Sequence, residues 1–287
     1  MDPSPARRDR DFRKRLHKAQ PAPVLYSSPV QSEDILTQPP PAADSRQAYG
    51  DDPNQFVDVR VPSGKGPHPI VFFIHGGFWR AKYDLTHAGH LCHALKSVGI
   101  ATWNVEYRRV GNPGGGWPGT FEDIRRAFRK LQEHSHRERS TFALNRLCVS
   151  GHSAGGQLAL SLAVFERSVT RVVSLAGVLD LRRGWDLHLS NDAVAQFLGG
   201  SPDEVPDHYR EASPADQHIR ATQKLIHGTA DDTVPYEISQ HYAESKKKAG
   251  ENVELITLPN IGHFEIVDPK SAVWSKVQEI FVSLLHA

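Results

Sequence analysis

Apolar positions recur along this chain in short dense runs, separated by stretches with helical spacing. Ile70-Val71-Phe72-Phe73-Ile74, Ile100 to Val105, Leu147-Cys148-Val149, Val172-Val173-Ser174-Leu175, Leu225-Ile226 and Val253 to Leu258 are the main runs. Short continuous runs of this kind suit strands buried on both faces of a parallel sheet. Phe56 to Val61 instead alternates apolar and polar residues, the pattern of a half-buried strand. Helix-like stretches fall near 84–98, 120–134, 154–167, 236–250 and 270–285. Strand and helix in alternation predict an α/β fold, a mostly parallel central sheet with helices on both faces.

Two segments depart from that rhythm. Residues 1–49 carry eight prolines and a basic cluster from Arg7 to Lys18, and read as a tail or irregular arm without a core of its own. Asp9 and Asp11 interrupt the charge and aromatics are sparse, so a solvated tail is preferred to a nucleic-acid-binding arm. The remaining residues, 50–287, are expected to form one domain. Within it, 181–222 is polar and turn-rich yet contains Trp185, Phe197, Leu198 and Tyr209, too long for a plain connection. A small cap or lid over the site and an ordinary helical excursion are both open readings.

Composition narrows the setting. A chain of 287 residues with 39% hydrophobic and 23% charged residues is an ordinary globular protein with room for one large core. The net charge of +1 gives no whole-protein field favouring nucleic acid or anionic membrane, and no apolar run reaches the ~20 residues that span a bilayer. Two cysteines and a polar, charged start without an apolar signal region point to a reducing compartment, the cytoplasm.

The chemistry begins at Gly151-His152-Ser153-Ala154-Gly155, a G-x-S-x-G pattern. An apolar strand precedes it (Arg146 to Ser150) and a helical stretch follows (Gln157 to Val164). A sharp strand-to-helix turn exposes the central hydroxyl, and the glycines leave room where a Cβ would crowd it. An oxyanion forming beside Ser153 would meet the N–H of Ala154 at the helix N-terminus. His75-Gly76-Gly77-Phe78-Trp79 closes the strand at Ile70–Ile74, where a glycine loop supplies the other oxyanion donors.

A serine hydroxyl needs a histidine to take its proton and a carboxylate to orient that histidine. In such folds the order is serine, acid, histidine. Asp231 and Asp232 share the tip of the turn after Leu225-Ile226; Asp231 is preferred, with Asp232 as a solvated or capping neighbour of the helix near Pro235. His263 follows the last strand on a loop before the final helix. His227, by contrast, reads as a buried bystander.

Other patterns carry less. His87, His90 and His93 recur at every third position but lack the i, i+4 pairing of a helical zinc site, so no metal is expected. Gly114 to Gly119 satisfies G-x-G-x-x-G, yet the strand before it ends near Tyr107 and Pro118 removes an N–H from the turn, so no dinucleotide is expected. That loop is read as placing Trp117 beside the site. Lys246-Lys247-Lys248 is a solvated helix end.

With these residues in view, the chain from about residue 50 onward resembles the kynurenine formamidases (arylformamidases) and their esterase relatives in the α/β-hydrolase superfamily. The resemblance lies in His75-Gly76-Gly77-Phe78-Trp79, Gly151 to Gly156, the turn from His227 to Asp231, and Gly262-His263-Phe264. It implies an α/β-hydrolase fold, a triad of Ser153, Asp231 and His263, and oxyanion donors from Gly77 and Phe78. The expected activity is cleavage of a small-molecule ester or linear amide, including a formamide, without cofactor. Phe78, Trp79 and Trp117, with Trp185 and Phe264 as alternatives to core aromatics, are the expected pocket residues. A non-catalytic ligand-binding module on the same scaffold is the rival.

Overall fold

The protein is described by a computed structural model covering residues 34–137 and 141–286. The element order is α1 (Asp34–Thr37), β1 (Ser45–Ala48), β2 (Phe56–Arg60), β3 (His68–Ile74), a 3-10 turn (Leu85–His87), α2 (Ala88–Ser97), β4 (Ala101–Val105), α3 (Gly119–Arg137), β5 (Phe142–His152), α4 (Ala154–Phe165) and β6 (Arg171–Leu175). There follow α5 (Leu181–Asp186), α6 (Ala193–Leu198), α7 (Pro206–Ala212), a second 3-10 turn (Pro214–Asp216), β7 (Thr222–Gly228), α8 (Tyr236–Lys248), β8 (Val253–Leu258) and α9 (Trp274–His286).

The eight strands make one sheet in the order β1-β2-β4-β3-β5-β6-β7-β8. The β1–β2 and β2–β4 pairs are antiparallel; every later pair is parallel. Residues of β3 show why dense apolar runs are needed here. Ile70, Phe72 and Ile74 pack into one core with α3, α4 and α8, while Val71 and Phe73 pack into the other with α2 and α9. A strand apolar on one side only would leave one of those helical layers without a surface to bury. Among the described residues, no helix is long and apolar enough to cross a membrane.

The sequence expectation fails in two places. Residues 34–48 are not tail: β1 adds to the sheet edge, Ile35 is buried in the α2/α9 core, and the segment belongs to the same compact unit as Ser153, Asp231 and His263. Short strands without alternation, such as Ser45-Arg46-Gln47-Ala48, carry no period of their own and form only because β2 offers an edge. The basic cluster and the prolines before residue 34 lie outside the described residues. Nor is β2 half-buried. Asp58 and Arg60 are covered by the chain on the β1 side, Asp58 receiving two hydrogen bonds from Arg46 and Arg60 donating to the Pro41 carbonyl.

Strand order reverses at β3, whose successor β4 lies to one side and β5 to the other. Such a switch point opens a crevice at the carboxyl ends of the strands. The loop after β3 and the turn after β5 both emerge there.

Candidate active site

Ser153 has φ 56° and ψ −121°, between the last residue of β5 and the first of α4. A non-glycine residue in that region carries strain of about 1–3 kcal/mol, which surrounding structure must offset. Its own backbone does so: Ser153 N–H donates to Leu175 O at 2.8 Å, and Ser153 O accepts from Gly156 N–H at 2.9 Å. The glycines of the motif are sterically required. A Cβ on Gly151 would sit 2.1 Å from Gly155 O, and one on Gly155 would sit 2.0 Å from Ile74 O.

β7 and β8 end side by side, Gly228 opposite Leu258, so the turns that follow them meet. There Nδ1 of His263 lies 2.7 Å from Oδ2 of Asp231. A carboxylate can only accept, so Nδ1 carries the proton and Nε2 keeps its lone pair. The other oxygen, Oδ1, accepts from the N–H groups of Thr233 and Val234 at 2.9 and 2.8 Å. Asp232 is exposed, and among the described residues its carboxylate meets only Thr233. Burial raises the pKa of the Asp231 carboxyl, but hydrogen bonds from His227 and His263 outweigh it, and the group is held well below the usual carboxylate range.

His227, read from sequence as a buried bystander, and His152 both support this arrangement. Nε2 of His227 faces two acceptors, Asp231 Oδ2 at 3.1 Å and Val234 O at 2.9 Å, so it carries the proton, and Nδ1 accepts from Ser239 Oγ at 2.7 Å. Nε2 of His152 donates to the backbone carbonyl of His263 at 3.0 Å and so holds the histidine loop against the serine turn. Burial, then the neighbouring imidazoles of His263 and His87, keep His152 neutral. Neither role has a sequence signal, because each depends on a contact between separate turns.

The loop after β3 has consecutive residues at positive φ, 108° at Gly77, 49° at Phe78 and 56° at Trp79. A Cβ on Gly77 would lie 2.5 Å from Tyr83 Cβ. Above the loop, His75 stacks on Tyr107 at 4.3 Å between ring centres, and the Tyr107 hydroxyl donates to His75 O. Among the described residues, the N–H groups of Gly77, Phe78 and Ala154 have no hydrogen-bond acceptor. Buried N–H groups are rarely left so, and these are free to receive an oxygen.

A cavity of about 250 Å³ is lined by Ser153, His263, Gly77, Phe78 and Phe264, with Leu36, Tyr83, His87, His152, Ser190 and Thr233 completing the wall. The Ser153 hydroxyl has no hydrogen-bond partner among the described residues and shares this cavity with His263. Catalytic hydrogen bonds commonly tighten only when substrate is present.

The expected tryptophans stand elsewhere. Trp79 is fully buried, stacked on Phe197 at 4.4 Å, with Nε1 donating to Gln157 Oε1 at 3.0 Å. Trp117 stacks on Phe121, and its backbone N–H donates to Phe197 O. Neither lines the cavity; both fasten loops to the α6 region. Apolar side chains at a loop tip had suggested a pocket, but the helices of 181–222 cover them. That segment is packed into the core through Leu181, Val194, Phe197, Leu198 and Tyr209, and reaches the cavity through Ser190. The three-residue histidine series diverges, His87 toward His75 and His152 and His90 to Gln38 O. Among the described residues no cluster of metal-ligating side chains occurs. The glycine loop at 114–119 is a tight turn, where a Cβ on Gly115 would lie 1.9 Å from Arg109 O.

Comparison with solved structures defines the class as the α/β-hydrolase fold. A truncated carbohydrate esterase from gut microbiota superposes with a TM-score of 0.73 at 20% identity, covering 87% of this chain and 100% of that one. The chain belongs to the BD-FAE family, which it matches over residues 57–245. Among curated relatives, the uncharacterized peptidase YtmA of Bacillus subtilis (strain 168) is 26% identical over 212 residues, 71% of this chain and 79% of YtmA. A probable isoprenylcysteine alpha-carbonyl methylesterase of Arabidopsis thaliana is 24% identical over 268 residues, 83% of this chain but only 62% of that protein.

Proposed function

We propose that this protein is a serine hydrolase that cleaves a small carboxylic ester through an acyl-enzyme. The observation that carries the reading is the shared cavity of Ser153 and His263, with His263 bound through Nδ1 to a buried carboxylate. In the proposed reaction, Nε2 of His263 takes the Ser153 proton as Oγ bonds to the substrate carbonyl carbon. The resulting oxyanion takes hydrogen bonds from the N–H groups of Gly77, Phe78 and Ala154, donors worth about 3 kcal/mol each. The ester C–O bond then breaks, and the imidazolium returns its proton to the departing alcohol. Water, deprotonated by the same Nε2, then attacks the acyl carbon; the bond from that carbon to Oγ breaks, Nε2 returns the proton to Oγ, and the acid leaves with Ser153 restored. Asp231 stays ionised throughout and stabilises the imidazolium. These steps use protein groups only.

Ester cleavage is supported by the names of similar proteins, a carbohydrate esterase and a methylesterase among them. A linear formamide is the second reading, supported by His75-Gly76-Gly77-Phe78-Trp79, the motif shared with formamidases. Against a non-catalytic ligand-binding module stands the buried Asp231, whose four hydrogen bonds serve to orient His263. The test is kcat/KM for p-nitrophenyl acetate and butyrate beside N-formylkynurenine, in wild type and Ser153→Ala. The proposal expects ester turnover that disappears with Ser153. A preference for the formamide selects the second reading, and turnover of neither selects the binding module.

A further inference from the structure

Two runs of three residues at positive φ contribute to the wall of the cavity. One is Gly77-Phe78-Trp79; the other is Ser190-Asn191-Asp192, at 47°, 53° and 59°, between α5 and α6. Asparagine and aspartate tolerate this region and glycine is at ease in it, but Phe78, Trp79 and Ser190 are not. Something outside each run must hold it.

One residue touches both. Arg80, the next residue after the first run, donates from Nη1 to Ser190 Oγ at 3.0 Å and from Nη2 to the carbonyls of Ser190 and Asn191, at 2.5 and 3.1 Å. Its Nε donates to Gln196 Oε1 at 3.2 Å, and Gln196 in turn donates to Asn191 O. The Arg80 backbone N–H closes the first run by donating to Gly77 O at 3.0 Å. A planar guanidinium can serve two adjacent carbonyls, a hydroxyl and an amide at once, which an ammonium group cannot do in the same geometry.

We propose that Arg80 is a positioning residue for the oxyanion donors. By clasping the 190–192 turn it fixes the backbone of Gly77 and Phe78, and with it the direction of their N–H groups. Arg80 does not line the cavity and touches no substrate in this account. The inference rests on the serine-hydrolase reading above. Because the oxyanion forms only in the tetrahedral intermediate and the transition states beside it, a loosened loop lowers kcat and leaves substrate binding nearly unchanged. Trp79, beside Arg80, is held separately through Gln157.

The experiment is steady-state kinetics on p-nitrophenyl acetate, with inhibition by a trifluoromethyl ketone as transition-state analogue, for wild type, Arg80→Ala and Arg80→Lys. Arg80→Ala is expected to lose on the order of 30- to 100-fold in kcat, the cost of small misplacement at a reacting centre, with KM within about threefold. Its Ki for the ketone rises in proportion to the fall in kcat/KM. Arg80→Lys recovers part of the loss. Wild-type kcat in Arg80→Ala, or a loss carried by KM with Ki for the ketone unmoved, overturns the inference. If Arg80→Ala does not fold, Arg80→Lys decides by the same split between kcat and KM. A wild-type protein inert toward every ester sinks the parent reading instead, so the two failures are distinguishable.

Discussion

Asp231 and His263 stand 32 positions apart in the chain, yet Oδ2 of one and Nδ1 of the other are separated by 2.7 Å. The pairing follows from β7 and β8 ending together, which brings their following turns into contact. It fixes the tautomer of His263, and with it which nitrogen can serve Ser153.

Replacing Asp231 by Asn is therefore expected to lower kcat by on the order of 10⁴, because an amide in its place favours the wrong imidazole tautomer. Asp232→Asn, at an exposed position, should stay within about twofold of wild type. Ester hydrolysis by the two purified variants checks both, and equal losses would show that the acid was assigned to the wrong residue.

Buried imidazoles should make the fold sensitive to mild acid. Burial, with His75 nearby, pushes the pKa of His87 down to about 3, so the folded protein keeps it neutral where an unfolded chain, near 6.5, takes up a proton. The sign follows: stability is full above about pH 6.5 and falls as pH drops, by about 2 kcal/mol at pH 5 for this one group. His152 acts in the same direction. Thermal unfolding from pH 7.5 to 5 should show a falling Tm in wild type and a shallower slope in His87→Phe. Parallel slopes would contradict the assignment.

Leu36 gives the third expectation. It lines the cavity from α1, held by Ile35 in the core and by Gln38, which binds His90 through its carbonyl and Lys270 through its side chain. Leu36→Ala should enlarge the cavity and raise the ratio of kcat/KM for p-nitrophenyl octanoate over acetate by about tenfold, while Leu36→Trp lowers it. An unchanged ratio in both variants would place the acyl chain elsewhere.

How much of this was legible in sequence depended on the range of the signal. Local patterns read well: the apolar runs located β3 to β8, and the G-x-S-x-G motif sits where strand becomes helix because only glycine fits beside Ile74 O and Gly155 O. Leu36 and β1 were missed, since a proline-rich approach hides a segment whose order comes from contact with β2 and α2. Trp79 was misplaced for the opposite reason. Its neighbours on the glycine loop line the cavity, but its own partners, Gln157 and Phe197, come from distant helices that no local pattern announces. His152 and His227 likewise act across turns that the fold alone brings together.

Active-site labelling tests most directly whether Ser153 is an activated nucleophile. Folded wild-type protein treated with a fluorophosphonate should carry one adduct, on Ser153 by peptide mass spectrometry, and lose its ester hydrolysis in step. Folded protein that keeps Ser153 unmodified, or that goes on hydrolysing esters as Ser153→Ala, would contradict it.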